Sequence, residues 1–571
     1  MKPFNTRFCI HLHILIFLVP SWAHCKQKVD RTENSSGIFS EGVHNELDSD
    51  WYHWRGSKGT GVSNQLNLPD DFNESLLWSH EIQGGGVPVI AGDKVFQFGY
   101  YGVESELQES LVCLDAVSGS VLWDRRHSDF ISDIVYNRYG VGAACVDPST
   151  GNVFFQTSPG LLLAYDANGT KLWERSLMEE FARLTFPNGR TGGPCVDEEL
   201  IIIHAITANW GKEGPARDRF YAFDKNNGEL VWSSTPGITP KDSSFSPLVF
   251  EDLEEGRRVF YSGTGCGHIV CIDARTGQPL WRFQMSYGGV NSGVVLHEDL
   301  VIAIHGKENI DSSVIGRMVA IRKPSNLPEF GEELLILGSE NEVWRKNAME
   351  AFTSTPVYRK GRVYTTIKRG ELIALDADTG HEIWVLKLAP DQVHASPTWA
   401  DGKLYVPMFN GKAFIVKDEG TYGKVQSEID LGSACLAAPA VAHGRVYIQT
   451  KKKLFCFGSD GEPTPFVAKI LKKDLKLGKA SILQIIPSEF ALKSGQKKKF
   501  KVYSLDRNGN RIEEVTGGLK WEKWIPPGAK VKSVVDAEIF DTGVLVASEN
   551  AKLSAGALRV RSGQLYGITR G

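Results

Sequence analysis

The amino-acid sequence predicts an all-β fold: an eight-bladed β-propeller followed by a small immunoglobulin-like β-sandwich. Three observations carry this. The phrase IVCIDARTGQPLW at 269–281 recurs in variant form along most of the chain. Most copies are preceded by a further pair of short strands. A spare strand with the same Trp stands ahead of the first copy.

Within the phrase, Val270, Cys271 and Ile272 form a strand. Asp273 accepts backbone N–H groups two or three residues on and opens a turn. Gly277 supplies the positive φ that closes it, and Leu280 and Trp281 begin the return strand. An isolated hairpin is marginal in water, so each must pack on a neighbour.

The other copies are LVCLDAVSGSVLW ending at Trp123, LLAYDANGTKLW at Trp173, FYAFDKNNGELVW at Trp232 and LIALDADTGHEIW at Trp384. A degenerate copy starts MVAIRKPSN at Met318 and reaches its return strand only at Trp344. AFIVKDEG from Ala413 has lost the Trp, and LFCFGSDG from Leu454 has no return strand. Preceding pairs include VPVIAGDKVFQFG (87–99), STPVYRKGRVYTTI (354–367) and APAVAHGRVYIQT (438–450). Four strands over about 40 to 60 residues are the signature of a propeller blade. The orphan SLLWSHEI, with Trp78, would complete the eighth copy and close the ring without an open edge.

Each Trp (Trp78, Trp123, Trp173, Trp232, Trp281, Trp344, Trp384) is expected on an outermost strand, packed on the adjacent blade. Burying one covers roughly 150–250 Å², worth at most about 4–6 kcal/mol. Small residues two before the turn Asp (Cys113, Ala164, Ala222, Cys271, Ala374) are expected to let sheets approach.

The 571 residues are 23% charged and 10% aromatic with net charge −4, a folded chain too long for one ordinary domain. The charge is uneven. Residues 462–571 hold 20 Lys and Arg against 11 Asp and Glu, so the remainder is acidic. Solvated faces and complementarity between domains account for this, or the tail meets an anionic surface such as polysaccharide or lipid headgroups. No nucleic-acid partner is expected.

Residues 1–23 have the form of a secretory signal peptide: Lys2 and Arg7, the apolar FCIHLHILIFLV, and SWA before His24. Trp22 and His24 fit a lipobox around Cys25 poorly. Export to the periplasm or the extracellular space is expected, with no other segment apolar enough to span a membrane as a helix. Eight cysteines would remain after cleavage. Cys113, Cys145, Cys195, Cys271 and Cys456 fall on strands as buried thiols; Cys266 and Cys271 could face each other across a hairpin. No C-x-x-C, H-E-x-x-H, G-x-S-x-G or Walker motif is present, so no catalytic residue or metal ligand is assigned.

From 462 to 480 the chain is polar and basic, a linker. Beyond it, SILQIIPSEFALKSGQKKKFKVYSLDRNGNRI alternates and turns at Asp506–Gly509; GGLKWEKW, GVLVASE and ALRVRSG supply further strands of a sandwich. DRNGN is a turn, because the twelfth position of a calcium loop would be Gly517. The expected organisation is signal peptide 1–23, N-terminal extension and lead-in 24–70, propeller 71–461, basic linker 462–480 and sandwich 481–571.

The repeat A-x-D-x-x-T-G-x-x-x-W, strongest in LIALDADTGHEIW and IVCIDARTGQPLW, resembles the pyrroloquinoline quinone (PQQ)-type propeller repeat. The lead-in DWYHWRGSKGTGVSNQLNLP (50–69) and the phrase ILQIIPSEFALKSGQ are similar to segments of a class of exported bacterial proteins with this repeat. The resemblance runs from Asp50 onward and implies the quinoprotein alcohol dehydrogenase-like superfamily. That superfamily includes PQQ- and calcium-dependent dehydrogenases, with the quinone over the central channel, an Asp base and often a vicinal disulfide. It also includes non-enzymatic docking platforms such as the propeller subunit of the outer-membrane barrel-assembly machinery. This sequence has no adjacent cysteines and no C-x-x-C-H haem site.

Long insertions mark one end of the propeller: 100–110, 206–219 and 305–317 between second and third strands, and 129–140 and 179–190 between blades. Long loops on a rigid scaffold concentrate function. Tyr101, Arg190, Trp210, Arg217, Asn291 and His305 are the candidate ligand-binding residues there, unless these loops only cap the channel. His394 heads an inner strand, more simply as a hydrogen-bonded structural residue than as a ligand. The sequons at Asn34, Asn73 and Asn168 carry no meaning in a bacterial chain.

The preferred expectation is an exported, non-catalytic propeller that binds a protein or a glycan and holds no cofactor. One alternative is a PQQ/calcium dehydrogenase with a divergent site. The other is a polysaccharide-acting enzyme using loop carboxylates such as Glu104, Glu308 and Asp311.

Overall fold

The computed structural model describes residues 49–128, 139–181, 192–207, 216–459, 461, 463–469, 475–529 and 531–571. The expected signal peptide, most of the N-terminal extension, Arg190 and Trp210 lie outside the described residues. Among those described, no helix is long and apolar enough to cross a membrane.

The repeats fold into antiparallel sheets whose four strands follow chain order. The first comprises Val89–Ala91, Lys94–Tyr101, Gln108–Asp115 and Val121–Ser128. Seven more such sheets follow among the described residues. The eighth takes Ala440–Ala442, Arg445–Gln449 and Lys453–Gly458 from the last repeat and Leu76–Glu81 from ahead of the first, with Trp78 opposite Cys456.

Five of the Trp residues donate to the turn of the next sheet. Trp78, Trp123, Trp173, Trp232 and Trp344 donate their indole N–H to the carbonyls of Ala116, Ala167, Lys225, Ala274 and Ala377 at 2.9–3.1 Å. Every acceptor is the residue after a turn-opening Asp. The indole also lies on the turn glycine. At Gly277 φ is +75°, and a Cβ there would come within 2.5 Å of Trp232. Backbone conformation and the ring above it therefore both require glycine.

The small residue stands directly across the hairpin from the Trp: Cys113 opposite Trp123, Ala164 opposite Trp173, Ala222 opposite Trp232, Cys271 opposite Trp281, Ala374 opposite Trp384. Its size makes room for that indole, besides letting sheets approach. Cys271 is paired opposite Tyr261, and Cys266 lies in the preceding turn, so these two thiols do not face each other. All described cysteines are free and buried.

Two junctions lack this Trp–turn contact. The fifth repeat has no Asp–Gly turn to receive Trp281. Its insertion folds back instead: Leu335–Leu337 pairs in parallel with Pro279–Gln284, and Leu337 and Leu327 join Trp281 in one core. The seventh sheet has Ser427 opposite Ile415. There Phe72, from beyond the lead-in, packs between Tyr405 and Phe457 with centroids 6.1 and 4.8 Å away. Apolar cores fill the gap between each sheet and the next, and one joins Val112 and Leu114 of the first sheet to Val446 and Leu454 of the eighth.

The lead-in is a structural part of the fold. Trp51 and Ile90 exchange backbone hydrogen bonds, the Val146 N–H donates to the Tyr52 carbonyl, and the Trp399 N–H donates to that of Gly61. Arg55 is fully buried, and its guanidinium fork donates to the carbonyls of Pro356 and Pro397, each at 2.9 Å. Asp50 accepts from the Gly92 N–H (2.6 Å), the Tyr52 hydroxyl (2.6 Å) and His443 Nε2 (2.8 Å). These partners belong to the first, second, sixth, seventh and eighth sheets, so 50–63 sit where the first strands converge.

The C-terminal region forms three three-stranded sheets around one core that includes Leu483, Ile485, Phe500, Trp521, Leu545 and Leu558. It docks on the third and fourth sheets. Ile486 enters their core, Glu489 meets Arg219 and Ser233, Lys498 pairs with Glu229, and Arg275 donates to the Asn508 carbonyl. The linker carries Phe466 against Gly92 and Gly151, and the Lys469 N–H donates to the Pro148 carbonyl.

Candidate functional site

Antiparallel order puts the connections between second and third strands at the same end of each sheet as the sheet-to-sheet connections. At this end small polar residues stitch neighbouring sheets where their first strands begin. Asn291 Oδ1 accepts from the Phe245 N–H (3.2 Å), Thr355 Oγ1 from Gly293 N–H (2.8 Å) and Ser396 Oγ from Thr355 N–H (2.9 Å). Thr398 Oγ1 donates to the Pro439 carbonyl (2.8 Å).

Of the sequence-predicted site residues, Asn291 is thus a buried stitch. His305 is buried in the fifth sheet; its Nδ1 accepts from the Lys307 N–H, and burial holds the imidazole down to about 4, hence neutral. Tyr101 packs beneath the Arg126 guanidinium at the junction with His80 of the eighth sheet, and burial pushes its phenol up to about 12. Arg217 is fixed by paired backbone and side-chain bonds to Thr207. Among the described residues, no hydrogen bond, ion pair or ring contact joins any two of these four.

The loop carboxylates do not converge. Glu104 stands exposed on the first sheet's insertion and Glu308 on the fifth's. Asp311 is bound by Arg317 and Arg345, whose hydrogen bonds hold its carboxyl down to about 2.

The sequence reasoning passed over two clusters. One is buried between the third and fourth sheets, where His204 meets Asp218, and Cys266 Sγ lies 3.3 Å from His268 Nδ1. Burial pushes the Cys266 thiol up to about 11 and holds His268 down to about 4, so the pair is a neutral thiol and a neutral imidazole. Thiolate nucleophilicity is not supported there.

The other is a chain of aromatic and cationic side chains along the loop-rich end. Lys241 Nζ lies 5.2 Å from the Tyr287 ring centroid, and Lys307 Nζ 5.2 Å from that of Phe352. Lys307 also pairs with Asp242 at 2.5 Å, next to Lys241. His394 stands edge-on between Phe352 and Phe409 at 5.5 and 6.2 Å, and Lys451 Nζ lies 5.6 Å from the Phe409 ring. His394 Nδ1 is also held by Thr353 Oγ1 at 3.1 Å. Adjacent repeats each contribute one or two members, so no local motif announces the array.

A quinone with calcium needs a carboxylate and amide cage around the axis. Among the described residues, no group of three or more His, Cys, Asp or Glu is placed to hold a metal ion. Where the first strands of the sixth and seventh sheets begin stands the Arg55 fork, pulled down to about 9 by burial and still charged at neutral pH. These residues do not fit the group.

A family model described as "Outer membrane protein assembly factor BamB" matches residues 69–186, 216–317 and 336–422, more than half of the chain. The outer membrane protein assembly factor BamB of Yersinia pestis is 20% identical over 396 residues, covering 67% of this chain and 88% of its own length. The lanthanide-dependent methanol dehydrogenase of Methylacidiphilum fumariolicum (strain SolV) is 26% identical over 176 residues, 29% of this chain and 25% of its own. Among solved structures, a europium-containing methanol dehydrogenase aligns over 73% of this chain and 100% of its own, with TM-score 0.55 and 14% identity. At that identity the likeness is one of fold.

Proposed function

This chain belongs to the family of the outer membrane protein assembly factor BamB, within the PQQ-like β-propeller superfamily, and on that premise we propose an exported, non-catalytic scaffold that docks a protein partner on its loop-rich end. The sheets are then eight blades spanning 71–461, closed by the strand from Leu76, and 481–571 is an immunoglobulin-like sandwich that braces the ring.

One observation carries the proposal: three long-range attachments of the chain's own segments lie at the opposite, Asp–Gly-turn end. Asp70 and Leu68 bond Lys403 and Asp401, Phe466 lies against Gly92 and Gly151, and Asn508 and Gly509 lie on the 273–278 turn. We propose that other partners use the loop-rich end, with Tyr101, Arg217, Asn291 and His305, and with Arg190 and Trp210, proposed to border or support the contact.

A photo-crosslinking amino acid at Tyr287 or Val103, both exposed on the loop-rich end, tests this in the cell envelope of the source organism. The same protein adduct is expected from both sites and not from Val117 or Tyr422 on the turn end. Adducts only from the turn end would refute it. The methanol dehydrogenase relative favours a second possibility, a quinone enzyme. Saturable PQQ and calcium binding with alcohol-dependent dye reduction by the mature chain would replace the scaffold by a dehydrogenase.

A further inference from the structure

The array from Lys241 to Lys451 says what kind of partner the loop-rich end takes. Lys241 lies over Tyr287, its sequence neighbour Asp242 pairs with Lys307, and contacts then run from Lys307 through Phe352, His394 and Phe409 to Lys451. The array crosses from the fourth repeat to the eighth. Tyr287 is 48% exposed, Lys241 and Lys451 are exposed, and the remaining rings are half-buried.

Two features decide the chemistry. First, ring faces of Tyr287, Phe352 and Phe409 are engaged by the chain's own ammonium groups. A sugar ring needs an open aromatic face, and lysines stand over these three. What the array presents outward is cations held up on aromatic pedestals. Second, Lys241 and Lys451, at its two ends, have no carboxylate within ion-pair distance among the described residues, and only Lys307 is neutralised, by Asp242. The ends await negative charge, and half-buried rings between them offer apolar contact. A long strip of this kind matches an extended chain.

Resting on the docking function above, we infer that the array binds an extended acidic polypeptide segment of the partner. Its Asp or Glu side chains pair with Lys241 and Lys451, and its aromatic or aliphatic side chains lie along Tyr287, Phe352 and Phe409. Complementary charge of this kind speeds encounter and sets register more than it adds affinity, so binding falls steeply with salt.

The test uses the mature full chain and a fluorescein-labelled peptide of alternating glutamate and tyrosine, with a glutamine–tyrosine peptide and polygalacturonate as comparators. Saturable binding of the acidic peptide is expected. It should weaken about fivefold in the variant Lys241→Gln/Lys451→Gln, a loss matching two exposed ion pairs at about 0.5 kcal/mol each. The control Lys493→Gln/Lys497→Gln/Lys499→Gln, in the C-terminal region, should bind unchanged. If the belt variant does not fold, the salt dependence of the wild type and its preference for the glutamate peptide decide instead. Equal binding by belt variant and wild type, equal binding of the glutamine peptide, or binding of polygalacturonate in place of peptide would each overturn the inference. Should the acidic peptide fail while crosslinks from Tyr287 still form, this inference falls and the docking scaffold stands. Loss of both removes the scaffold as well.

Discussion

Replacing Gly277 by Ala separates two demands on one residue. The backbone there is left-handed (φ +75°), and an added Cβ would come within 2.5 Å of Trp232. An alanine in that conformation costs about 1 kcal/mol. Forcing a methyl into the packed indole costs about 2 kcal/mol more, giving about 3 kcal/mol in all. Gly361 is an internal control: its φ is +78°, and a Cβ there meets nothing within 4 Å. Gly361→Ala should therefore cost only about 1 kcal/mol. Trp232→Ala alone should cost about 3–5 kcal/mol. In its background Gly277→Ala should fall to about 1 kcal/mol, a coupling of about 2 kcal/mol. Urea denaturation followed by near-UV circular dichroism measures all four variants. Strict additivity of Gly277→Ala and Trp232→Ala, or equal costs at Gly277 and Gly361, would refute the idea that the indole sits on the turn glycine.

Arg55→Met removes two charge-assisted bonds to the Pro356 and Pro397 carbonyls; a loss of about 3 kcal/mol and faster protease cleavage near residues 50–61 are expected. Burial alone would raise the Asp50 carboxyl, but hydrogen bonds from His443, Tyr52 and the Gly92 N–H bring it below its ordinary 3.8. Its stabilising contribution is therefore complete above its unfolded-state value and is lost as pH falls through the lower folded one. Acid titration of Trp fluorescence should show a transition below about pH 4 that Asp50→Asn abolishes. Ile486→Ser should undock the C-terminal region from the third and fourth sheets, read as a larger radius of gyration in X-ray scattering with the far-UV spectrum preserved.

The hairpins were legible because everything that makes one lies within a dozen residues. Asp273, Gly277 and Trp281 occupy fixed offsets, and the orphan strand at Trp78 announces itself by lacking a partner. What escaped has partners far away in sequence. Arg55 reads as one more basic residue until Pro356 and Pro397 close around it. Phe72 cannot be seen to stand in for a missing Trp without Tyr405 and Phe457 beside it. The same holds for the loop-rich end. Asn291 and His305 were sought as ligand-binding groups, yet Asn291 ties neighbouring sheets together and His305 is buried on a second strand, bonded to Lys307. The cationic array draws one or two members from each of several repeats, with no spacing along the chain to betray it.

The pairing of Trp78 with Cys456 has a consequence for synthesis. A ribosome adding about 5–20 residues per second releases the strand at Leu76 some 20–75 s before its partner exists. Through that interval an early segment waits for a late partner. The nascent chain carries an unfinished edge that no local folding can cap, and even a short truncation before residue 453 would make that condition permanent. A chain built this way completes its eighth sheet only after nearly four hundred further residues have followed the strand at Leu76.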